Sequence, residues 1–216
     1  MSILELNNFT ITYSGKKQPV FAPLNLSMQQ GESIALRGAS GAGKSSLLLS
    51  ICGLIPHSIP AETTGKLRLL GRQPSEFTQA ERANAIGMVF QNPETQLFCG
   101  TVELEVAFGL ENLCVPHDEM HARVKDALEQ VGLWARRKEP PSVLSGGQKQ
   151  LLALACVLAM KPRLLLLDEA LSQLDEQAQQ RLMEVLCKLQ KNGQSIFFVD
   201  HDDVRCSALA SREVWL

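Results

Sequence analysis

Ser33-Ile34-Ala35-Leu36-Arg37-Gly38-Ala39-Ser40-Gly41-Ala42-Gly43-Lys44-Ser45-Ser46-Leu47-Leu48-Leu49-Ser50-Ile51 is the stretch on which the fold turns. Ser33–Leu36 reads as a short buried strand, and Leu47–Ile51 opens a helix. Between them Gly38 to Ser45 matches G-x-x-x-x-G-K-[ST], and the flanking strand and helix give that pattern a mechanism. The glycines let successive backbone N–H groups turn inward onto phosphate oxygens. The helix adds its positive N-terminal end. Lys44 suits the β- and γ-phosphates of a nucleotide, and the Ser45 hydroxyl suits Mg²⁺. The candidate phosphate-loop residues are therefore Gly38, Ala39, Ser40, Gly41, Ala42, Gly43, Lys44, Ser45 and Ser46.

Outward from this loop the chain alternates strand and helix. Ile3, Leu4, Leu6, Phe9, Ile11 and Tyr13 mark a first strand, and Leu24, Leu26 and Met28 a second. Lys66–Leu70 and Ile86–Phe90 are strand-like and flank a polar stretch. From about Gln91 to Pro141 the character turns helical, with Met120, Val124, Ala127, Leu128 and Val131 at helical spacing after Pro116-His117-Asp118. Pro140-Pro141 is a stiff connector. An apolar helix is expected over Lys149–Met160, a buried strand over Leu164–Leu167, and an amphipathic helix carrying Leu182, Val185, Leu186 and Leu189 up to Asn192-Gly193. Ser195–Val199 is a further strand, and Val214–Leu216 begins a last one. This order implies an α/β fold with a mainly parallel sheet, an antiparallel β part at the N-terminus and a helical insertion. The expected organisation is a single domain over 1–216, with 1–90 and 160–216 as nucleotide-binding core and about 91–159 as helical subdomain.

Leu164-Leu165-Leu166-Leu167-Asp168-Glu169 is a second, independent signal. A hydrophobic strand delivers two carboxylates to its C-terminal end, where open α/β sheets bind ligands. Asp168 suits Mg²⁺, directly or through water. Glu169 suits the water that attacks a γ-phosphate.

The bulk composition adds exclusions. Apolar residues are 45% and charged ones 20% of 216 residues, ordinary for one folded α/β domain. A formal charge of −2 gives no reason to expect nucleic acid. The nearest basic patch, Arg136-Arg137-Lys138, runs into Glu139 and reads as a solvated helix end. Six cysteines lack metal or disulfide spacing and read as reduced core thiols of a cytosolic protein. His57, His117 and His121 read as surface histidines. No signal peptide is expected from MSILELNNF, and no apolar run has the length to cross a bilayer, so the chain is expected to be soluble.

Leu144-Ser145-Gly146-Gly147-Gln148 decides the family. With it, essentially the whole chain resembles the ATP-binding cassette ATPases, in the family's order of motifs. Ser145 and two glycines at a helix start make a second phosphate-binding end. The resemblance implies that Ser145, Gly146, Gly147 and Gln148 close on ATP held by an opposite subunit. It further implies that Gln91 contacts Mg²⁺ and the attacking water, and that His201 holds the γ-phosphate. The catalytic set is then Glu169, His201 and Gln91, with Ser45, Gln91 and Asp168 at the metal and Tyr13 stacking on adenine. Ser172-Gln173-Leu174-Asp175 resembles the loop that links the two sites.

Val89-Phe90-Gln91-Asn92-Pro93-Glu94-Thr95-Gln96-Leu97-Phe98, then Thr101-Val102-Glu103 and Ala107-Phe108-Gly109, resembles the energy-coupling-factor and cobalt-type importer ATPases. Implied with it are ATP and Mg²⁺, a second cassette, a transmembrane coupling subunit, a substrate-capture membrane component and a place on the cytoplasmic face of the membrane. The substrate class it implies is a vitamin, a vitamin precursor or a transition-metal ion. Leu97 and Phe98 either pack within the helical insertion or line a groove for a helix of the membrane subunit. Leu151, Ala170 and Gln173 depart from the family's usual arginine, proline and small residue, which fits pairing with a different cassette. Many such importers also extend further beyond the histidine for dimer contact. The competing functions are a soluble cassette acting on DNA or ribosomes, and a low-turnover partner cassette.

Overall fold

The computed structural model describes residues 2–216. A five-stranded parallel sheet forms its centre, in the order β5-β6-β7-β3-β8: β3 (Ser33–Arg37), β5 (Ile86–Val89), β6 (Leu164–Asp168), β7 (Ser195–Val199) and β8 (Arg212–Trp215). A separate antiparallel sheet has β1 (Ser2–Tyr13) between β2 (Leu24–Gln29) and β4 (Ala61–Leu69).

Every residue of β3, β5 and β7 is buried, as a parallel sheet covered on both faces requires. The period of two then sorts each strand between two cores. Ala35, Leu165, Leu167, Ile196 and Phe198 join the core shared with the helices. Their alternates Ile34, Leu36, Leu164, Leu166, Phe197 and Val199 join Leu4, Leu6, Ile11 and Met28 of the antiparallel sheet. One run of leucines thus glues two layers to one sheet. At about 25 cal/mol per Å² of apolar surface, each fully buried leucine contributes roughly 2 kcal/mol before entropy is set against it.

Between β5 and β6 lie α3 (Val102–Asn112), α4 (His117–Gln130) and α5 (Gly146–Ala159), packed pairwise on one another. Val124, Ala127 and Leu128 form the buried face of α4, Val131 is buried as its C-cap, and Met120 is partly buried against the same core. Four other helices complete the chain: α1 (Lys44–Ile51), α2 (Gln79–Ala85), α6 (Glu176–Lys191) and α7 (Asp203–Leu209).

The structure corrects several expectations. α1 starts at Lys44 and α5 at Gly146, each three residues before the apolar pattern signals it. Leu70 leaves the strand: its φ of 51° places it in the left-handed region, in the turn after β4. Residues 134–136 form one turn of 3₁₀ helix rather than a solvated helix end, and Arg136 is half-buried against Glu139 and Gln148. Cys52 and Cys206 are core thiols as expected, whereas Cys114 is exposed. His57, His117 and His121 are exposed.

Candidate active site

The phosphate loop bridges the C-terminal end of β3 and the first turn of α1, where β3 delivers it between its neighbours β7 and β8. Gly43 caps α1 with φ 94°, and a Cβ there would lie 2.4 Å from Val20 Cγ1. Only glycine lets the loop fold this tightly under residues 20–21. Lys44 is 5% exposed, and its ammonium donates to the carbonyls of Gly38 and Ala39, both at 2.9 Å. Backbone acceptors of its own loop thus satisfy two of the donors of the buried ammonium.

Above the loop lies an open cavity of about 930 Å³, within the range of nucleotide-sized sites. Ser40, Gly41, Gly43, Lys44, Ser45 and Ser46 line its floor, and Tyr13, Gln91 and Glu169 its walls. The Tyr13 hydroxyl and Ser46 Oγ are 2.8 Å apart, which fixes the ring beside α1. Gly38 and Ala39 serve through their carbonyls to Lys44.

Asp168 ends β6 beneath the loop. Burial pushes its carboxyl above the usual range, as does the neighbouring Glu169, while the Ser45 hydroxyl bond and Lys44 pull it down. No cluster of three or more His, Cys, Asp or Glu side chains is present among the described residues. Ser45, Asp168 and Gln91 carry hydroxyl, carboxylate and amide oxygens, the donor types that could hold Mg²⁺ shared with phosphates; Ser45 and Gln91 line the cavity.

Glu169 is the sharpest feature. Its φ is 50°, a left-handed conformation for a non-glycine residue and a cost of order 1–3 kcal/mol. That turn aims its side chain back toward His201, with Oε1 3.1 Å from Nε2. Ser172 Oγ donates to the Glu169 carbonyl at 2.8 Å and accepts from Gln91 Nε2 at 3.1 Å. Gln91, Glu169 and His201 converge although they lie on three different strand ends. Gln150 of α5 steadies this loop: its amide donates to the Phe90 carbonyl at 2.9 Å.

Ser145, Gly146, Gly147 and Gln148 stand apart from this cavity. Ser145 caps α5 in a reciprocal box: Gln148 N donates to Ser145 Oγ at 3.3 Å, and Ser145 N donates to Gln148 Oε1 at 3.0 Å. Ser145, Gly147 and Gln148 border a second cavity of about 470 Å³ that shares no lining residue with the first. The glycines are helical and not alike. A Cβ on Gly147 would meet Ala178 Cβ at 2.3 Å, whereas one on Gly146 would meet open space.

Leu97 and Phe98 divide between their two expected fates. Leu97 packs against the helical core, while Phe98 is 67% exposed, its ring edge-on to Phe108 at 4.8 Å. The buried Glu105 carboxylate accepts from the N–H groups of Phe98 and Cys99, at 2.9 and 2.6 Å, and pins that backbone. Sequence reasoning missed Lys16, Lys17, Gln18 and Val20 on the cavity wall and the bridging role of Ser172. The Lys16-Lys17 pair beside a phosphate-binding loop is the one signal that could have pointed there.

Comparisons with known proteins identify the family. The sequence profile of the family described as "ABC transporter" matches residues 21–172. A putative ABC transporter ATP-binding protein of Pyrococcus abyssi is 43% identical over 94% of this chain and 72% of its own length. The energy-coupling factor transporter ATP-binding protein EcfA1 of Enterococcus faecalis is 40% identical over 93% of this chain and 71% of its own. The solved structure of cbiO1 from Clostridium perfringens, described as part of the ABC transporter complex cbiONQ, superposes with a TM-score of 0.81 at 31% identity. It covers 93% of this chain and 79% of that one.

Proposed function

The chain belongs to the ABC transporter ATP-binding family, as an ATPase coupled to transport, and from that premise we propose that it drives an importer of the energy-coupling-factor type. The observation that carries the reading is the placement of Gln91 and Glu169 on the cavity over the phosphate loop, with His201 bonded to Glu169 behind them. Likeness to EcfA1 and to cbiO1 supports the importer class. The cargo is then a vitamin, a vitamin precursor or a transition-metal ion.

In this mechanism Lys44 trades its loop carbonyls for the β- and γ-phosphate oxygens of ATP, a charge-assisted contact. Glu169 orients the attacking water and takes its proton, and His201 holds both Glu169 and the γ-phosphate. Ser45, Asp168 and Gln91 would hold Mg²⁺, which would supply charge neutralisation on the phosphates. The separation of 145–148 from the cavity supports a site completed by the signature of a second cassette. Tyr13 stacks on adenine. Among the described residues no helix is long and apolar enough to cross a membrane, so the work on the bilayer is done through a membrane subunit.

Phe98, Leu104 and Phe108 are exposed apolar side chains on adjoining segments and form the docking face for a helix of that subunit. The test is co-expression with the transmembrane coupling subunit and the second cassette. Phe98→Asp should lose co-purification, while keeping its circular dichroism and ATP affinity. A Phe98→Asp complex that assembles and transports would refute this docking face.

A further inference from the structure

His201 sits one residue beyond Asp200, which follows the last residue of β7. Asp200 is 4% exposed, and its carboxylate is gripped by Arg205 as a fork, Nε to Oδ2 at 2.8 Å and NH2 to Oδ1 at 2.7 Å. Such a bidentate pair fixes both position and orientation. The Asp202 N–H adds a third bond to Asp200 Oδ1, at 2.9 Å. The Arg205 guanidinium has one arm left, and NH1 donates to Gln179 Oε1 of α6 at 3.1 Å.

Gln179 passes the connection on. Its amide donates to the carbonyls of Leu171 and Leu174, at 3.2 and 3.0 Å, the two ends of the turn that contains Ser172. From Ser172, which follows Leu171 in the chain, the path returns to the Glu169 carbonyl and from the Glu169 side chain to His201, while Gln91 hangs from Ser172 as a branch. Hydrogen bonds and short stretches of backbone together close a loop that contains Glu169 and His201 and holds Gln91 at its edge. Neither Arg205 nor Gln179 lines the phosphate-loop cavity.

We propose that Arg205 and Gln179 are positioning residues that lock the His201 segment to the 171–175 loop, so that the two shift as one piece. The proposal rests on the ATPase reading above. Asp175 borders the cavity of the signature residues, so a displacement of His201 is felt at the face that meets a second cassette. A purely local cap of α7 would need only Asp202, which already accepts from Arg205 N at 2.8 Å.

The test uses the full chain assembled in its transporter and two variants that leave the Asp200–Arg205 pair intact. Gln179→Met keeps the shape and removes all three bonds. Gln179→Glu keeps the acceptor for Arg205 and removes the donors to Leu171 and Leu174. Both should lower kcat about tenfold or more, since small misplacements of catalytic groups cost that much, with the ATP KM within about twofold. Amide exchange across 171–175 should speed up in the isolated variants, at a melting temperature close to the parent's. A kcat within about twofold of the parent in either variant overturns the proposal, as does unchanged exchange over 171–175. A parent that turns over no ATP would instead sink the ATPase reading, and the exchange measurement would still decide the lock.

Discussion

The two glycines of the signature should respond to alanine in opposite senses. Gly147 is buried at the start of α5, and an added methyl would lie 2.3 Å from Ala178 Cβ on α6. Ala178 has no flexible end to swing away, so the two helices must separate. Overpacking of this kind costs about 1–3 kcal/mol, and a contact this short belongs at the upper end. Helix propensity returns at most about 1 kcal/mol. The net loss is about 2 kcal/mol, which for a chain of this length lowers the melting temperature by roughly 4–8 °C. At Gly146 the same methyl meets open space, so only the propensity gain remains and the melting temperature should hold or rise slightly. If the proposed shared site holds, the methyl stands where a partner's nucleotide arrives, and hydrolysis by the assembled transporter should fall. Thermal unfolding of both isolated variants, followed by circular dichroism, reads the contrast. A Gly147→Ala chain that melts at or above the parent temperature would refute the packing argument.

Ser145→Arg should leave ATP affinity of the isolated chain unchanged, because Ser145 lies outside the phosphate-loop cavity; it should abolish ATP-driven pairing, as size-exclusion chromatography with nucleotide would show. The thiols should separate by burial: a maleimide at pH 8 should label exposed Cys114 first. Cys52, whose pKa burial raises to about 12, has almost no thiolate at the labelling pH and should stay unlabelled until the chain unfolds, which mass spectrometry of digested protein would check.

The sequence carried its strongest signals where one physical rule acts alone. The phosphate loop, the leucine run ending in Asp168-Glu169 and the apolar face of α4 follow from backbone turns, sheet burial and helical period. Short elements were less legible. α2 and α7 have seven residues each, too few for a period of 3.6 to repeat twice. α2 nonetheless announces itself by the Thr78 and Glu81 capping box, a signal the hydrophobic pattern hides. The start of α5 was legible from Ser145 and its two glycines and not from the apolar pattern, which begins only at Lys149. Contacts made only by tertiary approach, such as Gln91 to Ser172 or Arg205 to Gln179, leave no local pattern to read.

The central claim is that Glu169, bent toward His201 at the end of β6, directs the water that attacks ATP bound over Lys44. Phosphate release by the assembled transporter, compared between the parent and Glu169→Gln, tests it most directly, with nucleotide binding measured on the same samples. The variant should bind ATP as the parent does and release phosphate about a hundredfold more slowly or less. Turnover at the parent rate would contradict the account.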